Sequence, residues 1–168
     1  MNLINDLVIL VDEKDQPIGD MDKLEVHQKG LLHRAFSTFI FNDNRQLLLQ
    51  RRAKEKYHSA DLWTNTCCSH PRPGESTLEA AKHRLKEEMG IETGLEKKFD
   101  FIYQARLDND LIEYEFDHVY TGHYNDQPLL NLEEASDYKW ISIHELKSEI
   151  DRYPEKYTEW LKIAITSF

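Results

Sequence analysis

The segment that most limits how this chain can fold runs from Gly74 to Gly90. Ser76-Thr77-Leu78-Glu79 is a capping box, in which the serine hydroxyl serves an otherwise orphaned amide at a helix start. Leu78, Ala81, Leu85 and Met89 then recur at helical spacing and define one buried face. Gly90 supplies a left-handed stop. This is a helix with both ends marked, and strand patterns lie on both sides of it.

Before it, residues 7–11 read as an apolar strand. Residues 12–19, with Pro17, turn back toward Met21 as a hairpin. Residues 23–32 show no regular pattern. Residues 34–42 alternate, with Ala35, Ser37, Phe39 and Phe41 on one side and Phe36, Thr38 and Ile40 on the other. Asp43-Asn44-Arg45 is a turn, and residues 46–50 return as a strand. After the helix, residues 98–105 and 111–124 are strands joined by Asp108-Asn109-Asp110, and 137–141 is a further short strand. Ser142-Ile143-His144-Glu145 is a second capping box. Pro154 opens a C-terminal helix carrying Tyr157, Trp160, Leu161 and Ala164. This mixed order of strands and helices predicts an α+β fold, with one domain over residues 1–168.

The formal net charge of −10 argues against non-specific nucleic-acid binding. An anionic substrate would need a metal or a local cluster of cations. Arg51-Arg52-Ala53-Lys54-Glu55-Lys56 is such a cluster, although a solvated loop would have the same composition. No apolar run is long enough to span a membrane, and no secretory leader pattern is read at the start. Cys67 and Cys68 are adjacent, ~3.8 Å apart at Cα, which is shorter than the usual bridge. Free thiols fit a reducing compartment, so the cytoplasm is expected.

Thr64-Asn65-Thr66-Cys67-Cys68-Ser69-His70-Pro71 sets two thiols and an imidazole just ahead of the helix. The plainer reading is a turn with two small buried residues and a surface histidine. Glu113 and Glu115 share one face of a strand, with Ile112, Tyr114, Phe116 and Tyr120 expected in the core. Alone, such a pair reads as a solvated sheet face. His27, His33 and His70 lie near loops and strand entrances, and three imidazoles with two carboxylates suit Zn²⁺ or Mn²⁺. His58, His83, His118, His123 and His144 are read as surface or structural. Glu87 and Glu88 oppose the helix dipole, a penalty that a bound cation would remove and that two solvated glutamates would simply bear.

Glu75 and Arg84-Leu85-Lys86-Glu87-Glu88-Met89-Gly90-Ile91 resemble a degenerate Nudix box, G-x5-E-x7-R-E-U-x-E-E-x-G-U with U bulky and apolar. Counting back from Gly90, Ser69 stands at the leading glycine, His83 at the arginine and Arg84 at the first glutamate of the core. Glu75, Glu87, Glu88, Gly90 and Ile91 fit. These departures argue against pyrophosphohydrolysis and are typical of type I isopentenyl-diphosphate isomerases, which share the Nudix fold. The cysteine segment is very similar to that family's motif. Gly30-Leu31-Leu32-His33-Arg34-Ala35-Phe36-Ser37 and Glu113-Tyr114-Glu115 match its other two signatures.

The resemblance implies a Nudix-like mixed sheet flanked by helices and a 1,3-allylic proton shift, isopentenyl to dimethylallyl diphosphate. It assigns the catalytic thiol to Cys68 and the catalytic carboxylate to Glu115, with Tyr103 beside it. It maps a divalent-metal site, Mn²⁺ or Zn²⁺ (or Mg²⁺), to His27, His33, His70, Glu113 and Glu115, and a diphosphate-associated Mg²⁺ to Glu88. Lys23, Arg52, Lys56 and Arg84 match diphosphate-contacting positions. Trp160 is either helix core or an indole face for a cationic intermediate. A monomer or weak homodimer is expected, acting on a small diphosphate and not on nucleic acid or a membrane. The competing readings are a Nudix hydrolase of nucleoside diphosphate derivatives and a non-catalytic metal-binding module.

Overall fold

The structure, a computed structural model, describes residues 6–168. The first hairpin pairs β1 (Leu7–Val11) with β2 (Pro17–Asp22). Residues 23–32, which showed no pattern in the sequence, then hold a short helix, α1 (Lys23–Lys29). The Asp22 carboxylate caps it by accepting from the Glu25 amide at 3.1 Å, and Gly30 ends it at φ 66°. A β-carbon at position 30 would also sit 3.1 Å from Ile112, so the stop needs glycine on two counts. Only Val26 and His27 of this helix are buried, too few for a periodic signal.

β3 (His33–Phe41) is the spine of the sheet. It runs antiparallel to β1 and to β4 (Gln46–Arg52), and parallel to β8 (Ile112–His123). Its alternation holds, but both faces are buried. Phe36 and Ile40 pack with Leu48 under α2 (Thr77–Met89), against Ala81, Leu85 and Met89. Phe39 packs on the other side with Leu47, Leu49 and Val119. There it meets Leu146 of α3 (Ile143–Arg152) and Leu161 of α4 (Glu159–Ala164). Each side chain of this size, fully buried, contributes about 1.5–3 kcal/mol.

The cysteine segment is two short strands, β5 (Trp63–Thr64) and β6 (Cys67–Ser69), rather than a turn. β6 pairs with β3 so that Cys68 stands opposite Ser37. α2 starts at Ser76, whose hydroxyl accepts from the Glu79 amide, and stops at Gly90 in the left-handed region. The loop beyond β8 satisfies carbonyls left over at the end of that helix: Leu129 N–H donates to Met89 O and Asn131 N–H to Glu88 O. β7 (Leu95–Arg106) covers the far side of β8, and β9 (Ala135–Ser142) pairs with β4.

Two expectations are corrected. The C-terminal helix does not begin at Pro154. Residues Pro154–Lys156 form one tight turn, Tyr157 is extended and bridges to Trp63, and Thr158 caps α4 afresh. The inward face of β8 is also the opposite of the one expected. Glu113, Glu115 and Asp117 are buried, whereas Ile112, Tyr114 and Phe116 are only half-buried. Tyr120 is buried, as expected.

Candidate active site

Sheet register assembles the site. His33 on β3 and Tyr103 on β7 both lie directly across from Glu115 on β8, which puts three side chains in one row. Tyr103 donates its hydroxyl to Glu115 Oε1 at 2.5 Å, and His33 Nε2 lies 3.2 Å from Glu115 Oε2. His70, just past β6, brings its Nε2 to 2.6 Å from the same oxygen. Glu113 sits two residues back on the same face, 2.6 Å from His27 Nε2. His27 gets there because α1 carries it; the helix missing from the sequence reading is what places this ligand.

One potential ligand atom from each of His27, His33, His70, Glu113 and Glu115 lies within 4.8 Å of all the others. The donor set suits a divalent cation. His27 Nδ1–H donates to the Lys23 carbonyl at 2.7 Å, and His33 Nδ1–H to the Leu31 carbonyl at 2.9 Å. In the neutral imidazole this leaves Nε2 with a lone pair, and each Nε2 then faces a carboxylate oxygen. Lone pairs aimed at lone pairs in a buried site call for a positive charge between them. Burial and the adjacent Glu115 charge push Glu113 above the usual carboxylate range. Burial also pushes Glu115 up, but positive charge on the His33 and His70 side outweighs it, so a proton or a cation shared there holds that carboxyl well below its ordinary value. Burial keeps His70 neutral, lowering it to about 3 against the pull of Glu115.

Above this cluster opens a cavity of about 530 Å³. Cys68, His70, Glu113, Glu115 and Trp160 reach its wall. Burial raises the Cys68 thiol, with the Arg52 charge opposing, so sulfur holds its proton near neutrality. Lys23, Arg52, Lys56 and Arg84 reach the same wall. Arg52 is braced by the carbonyls of His58 and Ser59 and lies 5.2 Å over the Trp160 ring. Burial in this wall lowers the Lys23 ammonium, whose Nζ sits 5.4 Å over the Tyr57 ring. Glu88 is buried with both oxygens engaged. Arg84 donates to one at 2.9 Å, and the Gln50 amide donates to the other at 3.2 Å. The residues expected from the sequence are thus brought to one place, with His27, His33 and Tyr103 set behind the Glu113 and Glu115 carboxylates that reach the cavity wall.

Several participants were missed. His58, read as surface or structural, is buried, with its ring 5.5 Å from His27 at a 30° tilt while meeting Trp160 edge-on at 5.9 Å. Tyr57 lines the cavity with a buried hydroxyl that has no partner among the described residues. Glu134 pairs with Lys56. Asp117 is buried under Ser37, whose hydroxyl donates to it at 2.8 Å. Only Asp117 left a trace in the sequence, as the third acid on one face of β8. Of the remaining histidines, His83, His123 and His144 are exposed as expected, and His118 pairs with Asp15 away from the cavity.

Residues 31–161 match the NUDIX domain family. The chain is 52% identical over 162 residues to isopentenyl-diphosphate Delta-isomerase 2 of Photorhabdus laumondii, covering 96% of this chain and 92% of that one. It is 54% identical over 157 residues to the isopentenyl-diphosphate Delta-isomerase of Serratia proteamaculans, covering 94% and 88%. Among solved structures, a Deinococcus radiodurans protein superposes with a TM-score of 0.81 at 18% identity, covering 96% of this chain and 98% of that one. The MutT protein of Methanosarcina mazei superposes at 0.60 with 20% identity, covering 70% and 81%. These two likenesses show the fold.

Proposed function

The chain belongs to the isopentenyl-diphosphate Delta-isomerases of the NUDIX family, and from that premise we propose that Cys68 and Glu115 are its proton-handling pair. It converts isopentenyl diphosphate to dimethylallyl diphosphate. The observation that carries the site assignment is convergence. A thiol, a carboxylate set in a histidine cluster and four cations face one cavity, although they come from five separate parts of the chain.

The reaction adds a proton to the terminal methylene carbon, using the alkene electron pair, and leaves positive charge on the tertiary carbon. A proton then leaves the neighbouring CH₂, and its bonding pair forms the new double bond. One residue of the pair delivers and the other removes, each from its own face of the alkene. Tyr103 positions Glu115 by its hydrogen bond. Lys23, Arg52, Lys56 and Arg84 hold the diphosphate, which is unchanged in the reaction. His27, His33, His70, Glu113 and Glu115 would hold a divalent ion, which we read as Mn²⁺ or Zn²⁺ with Mg²⁺ the alternative; it would supply charge that offsets two buried carboxylates and tunes Glu115. A Mg²⁺ carried in with the diphosphate would meet Glu88, where it competes with Arg84.

Metal analysis of the purified protein is expected to find a divalent ion, and His70→Ala to lower its content or weaken its binding by about 10–100-fold. A metal-free preparation with full activity contradicts the site.

Trp160 reaches the cavity with its indole N–H unpartnered among the described residues. An indole face stabilises a desolvated cation by ~0.5–2 kcal/mol. That is roughly two-fold to thirty-fold in rate if felt only in the transition state. Trp160→Phe should therefore keep partial activity and Trp160→Leu lose more, with similar melting temperatures. Activity that merely follows stability would return Trp160 to the role of core residue.

The function is tested by incubating the protein with isopentenyl diphosphate and a divalent ion. The allylic isomer without phosphate release is expected; phosphate or nucleotide release instead would favour the hydrolase reading. That reading is disfavoured by Arg84, which stands at a glutamate position of the box and neutralises Glu87 and Glu88.

A further inference from the structure

Two of the cations in the cavity wall share one carboxylate partner. Lys56 is hydrogen-bonded to one oxygen of Glu134, and Arg84 lies 3.6 Å from the other. One carboxylate therefore spans two of the four positive charges assigned to the diphosphate. Its placement is built in. The Glu134 carbonyl accepts from the Ala53 amide at 3.0 Å, its own amide donates to Asn131 O at 2.9 Å, and Asn131 N–H donates to Glu88 O at 2.9 Å. The loop carrying Glu134 is thus fastened to the end of β4, three residues before Lys56, and to the end of α2, which carries Arg84. The Glu134 side chain is only 24% exposed. Burial pushes its carboxyl up, and the Lys56 hydrogen bond and charge, with Arg84 behind them, pull it further down, so it stays ionised.

We propose that Glu134 is a resident counter-ion and a specificity-determining residue. It occupies Lys56 and Arg84 in the free enzyme and is displaced when the substrate's diphosphate arrives. The proposal rests on the reading of this cavity as a diphosphate site. Its consequence is a charge threshold. A ligand that brings little more negative charge than the carboxylate it displaces gains little from the exchange, whereas a diphosphate gains on both cations. Discrimination then comes from an obstacle to the wrong anions as well as from attraction for the right one.

The test is calorimetric titration of the full chain with inorganic pyrophosphate at fixed ionic strength. Glu134→Gln and Glu134→Ala should each bind it more tightly, by roughly 5-fold or more. Glu133→Gln removes the same charge from the neighbouring residue, which also lines the cavity but makes no ion pair with either cation among the described residues; it should shift binding by less than about 2-fold. A structural brace, once removed, would weaken binding, so tightening separates the two roles. Unchanged or weaker binding in the Glu134 variants, or equal tightening by Glu133→Gln, overturns the counter-ion. No pyrophosphate binding by the unaltered chain or any variant overturns the diphosphate reading itself, and this proposal with it.

Discussion

Cys68→Ala is expected to lose isomerisation by about 10²–10⁴-fold, the usual contribution of a positioned proton-transfer group. The fold should survive. β6 is held to β3 by backbone pairing at Cys68 and Ser37, and the Cys68 side chain is half-buried at the cavity wall. Cys67 is the internal control. It is fully buried among Phe36, Leu48 and Leu85, and its thiol lies 3.4 Å from Glu88. Cys67→Ala should keep most of the turnover and lose stability, by about 1–2 kcal/mol. Turnover and melting temperature for both variants settle the assignment. If Cys67→Ala is the inactive one, the thiol has been placed on the wrong residue.

Glu115→Gln should cost a similar factor, about 10²–10⁴-fold in turnover, with far less effect on folding. The amide preserves the shape but cannot take up a proton as a carboxylate does. It also presents either an oxygen or an NH₂ where Tyr103, His33 and His70 now find carboxylate oxygens. Glu113 contacts His27 rather than Tyr103. Glu113→Gln should act through metal affinity, so added divalent ion should restore part of its turnover but none of that lost in Glu115→Gln. Small and equal effects of the two changes would reduce the pair to buried scaffolding.

The legible parts of the fold were those with long periods or marked ends. α2 carries a cap at each end and four apolar residues on one face, and β3, β4, β7, β8 and β9 were found to within a few residues, whereas the short β5 and β6 were not. α1 stayed hidden because seven residues with two buried positions leave no period to count. The inward face of β8 was misjudged for a different reason. Alternation says that two faces differ, not which is inside, and a face of Glu113, Glu115 and Asp117 looks solvated. It is buried because histidines from α1, β3 and the end of β6 meet it there. The histidines and carboxylates that cluster here were singled out by residue type and by motif likeness. Tyr57, His58 and Glu134 lie in connecting loops between strands, where neither period nor motif marks them, and only the tertiary structure brings them to the cavity.

The most direct measurement follows isopentenyl diphosphate and the purified protein in deuterated water by proton NMR. The account predicts dimethylallyl diphosphate carrying deuterium in the methyl group formed from the terminal methylene, since the added proton comes from an enzyme group that exchanges with solvent. Cys68→Ala and Glu115→Gln should both suppress its appearance. Unchanged isopentenyl diphosphate with the unaltered, metal-loaded protein, or release of phosphate without the allylic isomer, would contradict it.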